Sequence, residues 1–403
     1  MNEIVGIAAE YNPFHRGHLY HIEQVRRHFP GAAIVAALSS SFLQRGVPAL
    51  TDKWRRAQAA VKCGVDLVIE LPLPFCCSNA GVFASGAVAL MKASGIVNVL
   101  SFGMENPSHE LCTISDILVQ EPPPFKLYLR EFLKSGLSYA ESRSRALDRL
   151  CPGAAELTGK PNNTLAVAYA EAVKRQGADL ELLPVPRRGA DYHDLSEGAV
   201  MSAQGIREAL KTGRNERALR AMPHASAEIL REALASGQAC CDTAILWQHL
   251  RLLLSRLTPE ELSRTAGISE GMEHRLLQVF LSCKSFEELT ETVSSRRFPQ
   301  SRIRRQLMAL LLNVSHEEDR AFQRQGPAYI RPLAMNSRGR RMLRSMEDAS
   351  TLPVITKPAA LHGRNYAQSI MALEFRGAAV WQSLTARPDF EREKKAVPWI
   401  ADF

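Results

Sequence analysis

The sequence predicts an α/β fold, a parallel sheet packed by helices, followed by a mainly α-helical C-terminal region. Three observations carry that expectation. Over the first hundred positions short apolar runs alternate with amphipathic stretches, roughly every 30 residues, the pattern of βαβ units. Beyond about position 227 leucines recur at helical spacing among few strand formers. Charge is also unevenly placed: the 403-residue chain carries a net +8, and the window 296–344 holds twelve arginines, no lysine and three acids, a net +9.

Each element follows from local pattern. Ile4–Ala9 reads as a buried strand, and Leu19, Ile22, Val25 and Phe29 share one face of the helix after it. Strands at 33–38, 66–71 and 97–102 alternate with helices at 54–61 and 80–92. Right-handed crossovers between them give a doubly wound, Rossmann-like sheet. The segment 108–177 turns helical, with long periodic stretches at 125–150 and 163–175. A fifth strand at 180–185 and a helix at 202–212, closing at Gly213, precede a boundary near Pro223. The reading is two domains, 1–223 and 224–403. A last strand at 352–356 contains Pro353 and precedes Pro358, so it is expected to be short or an edge.

Composition narrows the class. With 46% hydrophobic and 23% charged residues the chain can build a large core, which excludes disorder for most of it. The N-terminus lacks a basic lead and a long apolar stretch, so no secretory signal is expected. The longest apolar run, 81–91, falls short of the roughly 18 to 20 residues that span a bilayer. Eight cysteines form no C-x-x-C spacing and read as free thiols of a soluble, cytoplasmic protein.

The chemistry concentrates in Glu10-Tyr11-Asn12-Pro13-Phe14-His15-Arg16-Gly17-His18, between the first strand and its helix. Ligands of open α/β sheets bind at that edge. Free N–H groups of a helix's first turn favour phosphate there, and Gly17 allows close approach of a nucleotide to the backbone. His15 and His18 can then donate hydrogen bonds as negative charge moves onto a pyrophosphate leaving group. H-x-x-H could also be a metal pair or a polar helix start, but no third ligand stands at useful spacing. Arg55, Arg56 and Lys53 open the second helix and face either a phosphate partner or solvent. Gln44-Arg45-Gly46 falls at the same sheet edge.

His15-Arg16-Gly17-His18 resembles the H-x-G-H signature of a nucleotidyltransferase superfamily. The fuller pattern resembles the bacterial tRNA(Met) cytidine acetate ligase family: Ala9 through His18, Phe42-Leu43-Gln44-Arg45-Gly46-Val47-Pro48-Ala49, Asp52-Lys53-Trp54-Arg55-Arg56-Ala57, Phe102-Gly103-Met104-Glu105, Lys160-Pro161-Asn162-Asn163 and Gly189-Ala190-Asp191-Tyr192-His193-Asp194. The likeness is close over about the first 215 residues and looser beyond. Ser40-Ser41 stands where the family commonly has Gly-Asn.

The resemblance implies that acetate is activated with ATP to acetyl-adenylate, with release of pyrophosphate. N4 of the wobble cytidine of elongator tRNA(Met) then takes the acetyl group. It implies ATP contacts at Ile7, Ala8, Ala9, Glu10, Tyr11, Asn12, Pro13, Phe14, His15, Arg16, Gly17, His18, Leu19 and Tyr20, then at Gly103, Asn162, Asn163, Arg187 and Arg188, with His15 and His18 catalytic. Magnesium is expected to accompany ATP, with no metal held by the protein itself.

Arginine matches phosphate oxygens bidentately, so Arg296, Arg297, Arg302, Arg304, Arg305, Arg338, Arg340 and Arg341 are the candidate tRNA contacts. Two other readings remain open on these residues. One is a small-molecule adenylyltransferase of the same superfamily, and the other a non-catalytic RNA-binding protein with a vestigial nucleotide pocket.

Overall fold

A computed structural model describes residues 3–187, 201–361, 363 and 365–401. The first half follows the alternation read from the sequence: β1 (Ile4–Ala9), α1 (Arg16–His28), β2 (Ala33–Ser39), α2 (Lys53–Lys62), β3 (Leu67–Leu71), the short α3 (Leu73–Cys76), α4 (Ala80–Ala93) and β4 (Val99–Met104). Every residue of β2 and β3 is buried, as expected for parallel strands covered on both faces. The helical stretch resolves into α5 (Glu110–Gln120), α6 (Pro123–Lys134), α7 (Tyr139–Leu150), α8 (Ala154–Gly159) and α9 (Pro161–Gln176), before β5 (Glu181–Pro186). The stretch 125–150 is therefore two helices and not one. Gly136 turns left-handed (φ 85°) after α6, and the Ser138 side chain caps α7.

After α10 (Ala203–Lys211) the described chain is mainly helical: α11 (Asn215–Arg220), α12 (His224–Ala235), α13 (Ala244–Leu254), α14 (Pro259–Leu262), α15 (Met272–Val279), α16 (Phe286–Val293), α17 (Gln300–Leu311) and α18 (His316–Gln325). It ends with β6 (Pro332–Met335), α19 (Ser337–Ala349), α20 (Asn365–Gln382), α21 (Arg392–Lys395) and β7 (Trp399–Ile400).

The seven strands lie in the order β5-β4-β1-β2-β3-β6-β7. The first five are parallel, β6 runs antiparallel to β3, and β7 is parallel to β6. Residues on both sides of Pro223 thus share one sheet. Neither β6 nor β7 shows in the sequence pattern, since four and two residues carry no readable period. The strand expected at 352–356 reduces to a single parallel bridge between Val354 and Ile330.

Asp66 fastens the added strand to the sheet. Its carboxylate accepts the Ile34 N–H at 2.9 Å and the Asn336 side-chain amide at 2.9 Å, and its carbonyl accepts the Asn336 N–H at 3.0 Å. Gly339 permits this approach, because a Cβ there would lie 1.9 Å from the Asp66 carbonyl oxygen.

One apolar cluster, holding Ile22, Val25, Trp54 and Ala57, lies between the sheet and α1 and α2. The other covers the opposite face and runs from Ala33 through the C-terminal helices to Leu384. Among the described residues no helix is long and apolar enough to cross a membrane, and all eight cysteines are free.

Candidate active site

Strand order reverses between β1 and β4, so the loop after β1 opens into the crevice at the carboxyl ends of the strands. His15 caps α1 in an extended conformation. Its Nδ1 accepts the Gly17 N–H at 3.0 Å, while its own N–H donates to His18 Nδ1 at 3.2 Å, a reciprocal capping box. Both Nδ1 atoms are therefore acceptors, which places each ring's proton on Nε2. The two rings stack with centroids 3.7 Å apart, and Tyr11 and Phe14 flank His18 at 4.9 and 5.4 Å.

Burial first, then the nearby Arg187 and Arg207, push His15 down to about 3. Burial, the His15 ring and Arg187 hold His18 well below its usual value. The pair is thus two neutral Nε2–H donors at a helix N-terminus. A depressed histidine contributes stability above its unfolded value of 6.5, and that contribution is lost as pH falls toward 3. At pH 6 we expect ¹⁵N NMR to show both rings neutral with the proton on Nε2; titration of either near 6.5 would contradict the assignment.

His21, one turn further on, was not singled out in the sequence. Its Nε2 lies 2.8 Å from Ser101 Oγ, which donates to the Leu183 carbonyl at 3.1 Å, so this ring also carries its proton on Nε2. Burial, then Arg187, lowers it to about 4. The histidine spacing of three along α1 was the available signal.

The cationic side of the crevice is built from distant segments. Arg187 follows β5, donates its N–H to the Met104 carbonyl at 2.8 Å and reaches Asn162 Oδ1 at 3.2 Å. Gly103 lies beneath it, and a Cβ there would come within 3.1 Å of Arg187 Cγ. Arg207, from a helix whose N-cap Ser202 accepts the Gly205 N–H, donates to the Asn12 carbonyl at 2.6 Å. Asn162 and Asn163 play different parts. Asn163 is fully buried and its Oδ1 accepts the Glu105 N–H at 2.9 Å, whereas Asn162 is half-buried beside Arg187.

Along the nucleotide loop, Ile7 and Ala9 point into the apolar cluster, so they can offer a ligand backbone only. Asn12 Oδ1 accepts the Leu50 N–H at 2.7 Å, and Arg16 is exposed. Arg188 and the stretch 189–194 lie outside the described residues. Lys53 and Arg56 are buried and Arg55 is half-buried, each held by groups of the protein. Arg56 donates to the carbonyls of Glu10, Ser40 and Thr51, Arg55 pairs with Asp52, and Lys53 lies within a buried ion cluster.

The arginine window divides. Arg305 donates to the Gln44 carbonyl at 3.0 Å, and a Cβ on Gly46 (φ 68°) would lie 2.5 Å from the Arg304 carbonyl carbon, so α17 docks on the loop beside the crevice. Arg302 stacks on Phe298 at 4.4 Å, Arg304 bonds Gln300, Arg297 pairs with Glu270, and Arg296 is exposed. Arg338 instead donates to the carbonyls of Gly31 and Ala32, just before β2 begins, at the amino edge of the sheet. Arg340 and Arg341 are exposed on the same helix. Arg331 is buried among carboxylates.

Among the described residues no group of three or more His, Cys, Asp or Glu could hold a metal ion. What the site offers is neutral N–H donors, guanidinium groups and a helix N-terminus at one crevice, equipment suited to an anion and to nucleotidyl transfer.

Comparison with known proteins agrees with that class. The HIGH Nucleotidyl Transferase family profile matches residues 1–396. The tRNA(Met) cytidine acetate ligase of Thermoanaerobacter sp. (strain X514) is 37% identical over 358 residues, 88% of each chain. That of Leuconostoc mesenteroides is 34% identical over 392 residues, 95% of each. The crystal structure of Thermotoga maritima TmcAL (apo, form I) superposes with a TM-score of 0.93 at 29% identity, covering 99% of this chain and 100% of that one. The form bound with alpha-thio ATP gives 0.91 at 28%, with the same coverage. The chain belongs to the HIGH nucleotidyl transferases and, within them, to the tRNA(Met) cytidine acetate ligase family.

Proposed function

We propose that this chain is an ATP-dependent acetate ligase that acetylates N4 of the wobble cytidine of elongator tRNA(Met). The observation that carries the reading is the pair of neutral Nε2–H donors, His15 and His18, at the start of α1. An acetate oxygen attacks the α-phosphorus of ATP, forming acetyl-adenylate and releasing pyrophosphate. The two imidazoles donate to phosphate oxygens as their negative charge grows, without the proton exchange a protonated histidine would invite. Arg187 and Arg207 supply positive charge on the same side. Magnesium arrives with ATP as part of the substrate. The cytidine amine then takes the acetyl group and AMP leaves.

The proposed tRNA surface begins at Arg304 and Arg305, docked on the loop that carries the exposed Arg45, and continues to Arg302, Arg297 and Arg296 along the same segment. Arg338, Arg340 and Arg341 form a second basic patch at the far edge. The 1–223 part holds ATP and acetate, and the 224–403 part presents these arginines while completing the sheet. Similarity to relatives named tRNA(Met) cytidine acetate ligase favours this reading over the other two. Incubation with labelled acetate, ATP and elongator tRNA(Met) tests it, with label expected on the RNA. Transfer of AMP to a small acceptor without tRNA would mark the adenylyltransferase reading, and RNA binding with no turnover the non-catalytic one.

A further inference from the structure

Glu10 is the one acid between Ile7 and Tyr20, and it directly follows β1 at the mouth of the crevice. The structure holds it with care. Its Oε1 accepts the Gln44 N–H at 2.8 Å, and its carbonyl accepts from Arg56 at 2.8 Å. Among the described residues the hydrogen bonds to Glu10 go to Oε1 and to its carbonyl, none to Oε2, and the residue is half-buried rather than sealed. Its charge acts on the guanidiniums of Arg56 and Arg207, the Cys77 thiol and the Tyr169 phenol, which come from four different segments. A carboxylate beside a triphosphate site has the wrong sign to bind the phosphates through its side chain. It has the right chemistry to take a proton in the step that follows, once pyrophosphate has left.

We propose that Glu10 Oε2 is the general base that deprotonates the cytidine N4 amine during acetyl transfer, a role that rests on the acetate-ligase reading above. The N4 lone pair forms a bond to the acetyl carbonyl carbon. The bond from that carbon to the phosphate oxygen of acetyl-adenylate breaks, and AMP departs with its electron pair. The N4 proton moves to Oε2 and from there to solvent. The bond from Gln44 holds one carboxyl oxygen, on a loop that α17 supports through Arg305, and leaves Oε2 to take the proton.

Glu10→Gln separates this role from a merely structural one, because the amide oxygen still accepts the Gln44 N–H while the base is gone. Two rates are compared: acetate-dependent ATP–pyrophosphate exchange, and single-turnover transfer from preformed acetyl-adenylate to elongator tRNA(Met). The ratio of transfer to exchange is expected to fall about 10²- to 10⁴-fold in the Gln variant, and less in Glu10→Asp, which keeps a carboxylate. Equal losses in both rates, or transfer at the wild-type rate, would overturn the proposal. Wild-type protein that exchanges pyrophosphate but transfers no acetyl group would sink the acetate-ligase reading itself, and the base with it.

Discussion

His15→Asn is expected to lower acetate-dependent ATP–pyrophosphate exchange by about 10²- to 10³-fold, the cost of removing one preorganised donor from a developing charge. Asparagine is chosen because its Oδ1 replaces the ring Nδ1 that accepts the Gly17 N–H, and asparagine is among the best N-cap residues. The Nε2–H is lost, together with the ring's stack on His18. The midpoint of urea unfolding should therefore stay close to wild type while exchange collapses. His18→Asn makes the matched test, since its oxygen can still accept the His15 N–H. Exchange at the wild-type rate in both variants would remove the imidazoles from the phosphates.

The second large effect is on stability. Lys53 is 1% exposed and lies against Glu70, against Glu374 at 2.9 Å and against Glu393 at 2.9 Å; Arg331 joins from the other side, 2.7 Å from Glu393. Two cations thus face three carboxylates. Burial and the neighbouring Glu374 push Glu70 up to about 7, so the cluster balances when Glu70 holds a proton. The members come from α2, β3, α20 and α21, with Arg331 just before β6, so the cluster ties the C-terminal elements to the nucleotide-binding half.

Lys53→Met should cost about 3–5 kcal/mol, the penalty for stranding a buried charge. A carboxyl raised in the fold contributes stability below its unfolded value of 4.5, and that contribution is lost as pH rises through about 7. The variant should therefore be weaker at pH 8 than at pH 6. Adding Glu374→Gln should restore part of the loss. Urea unfolding at the two pH values reads all three outcomes, and a loss below about 1 kcal/mol would mean that the cluster contributes little.

What the sequence disclosed was whatever local pattern could carry. The first four strands were readable because each is a short, mainly apolar run, and the nucleotide loop because its motif joins a strand to a helix. What it concealed was decided by distant partners. Arg331 counts toward a basic window, yet it is 1% exposed and belongs to the core. Lys53 and Arg56 look like surface charge at a helix start, and only the fold reveals the carboxylates and carbonyls that bury them. Pairing with β3 makes a strand of Pro332–Met335, a segment too short to show any alternation. His21 lay on the readable face of α1, but its role depends on Ser101, eighty positions away.

If His15 and His18 activate acetate for delivery to one RNA base, nucleoside mass spectrometry after incubation with isotopically labelled acetate, ATP and elongator tRNA(Met) reads the product directly. Labelled N4-acetylcytidine is expected at the wobble position, formed only when ATP is present and lost in His15→Asn. Unlabelled tRNA after complete incubation, or label that appears without ATP, would contradict it.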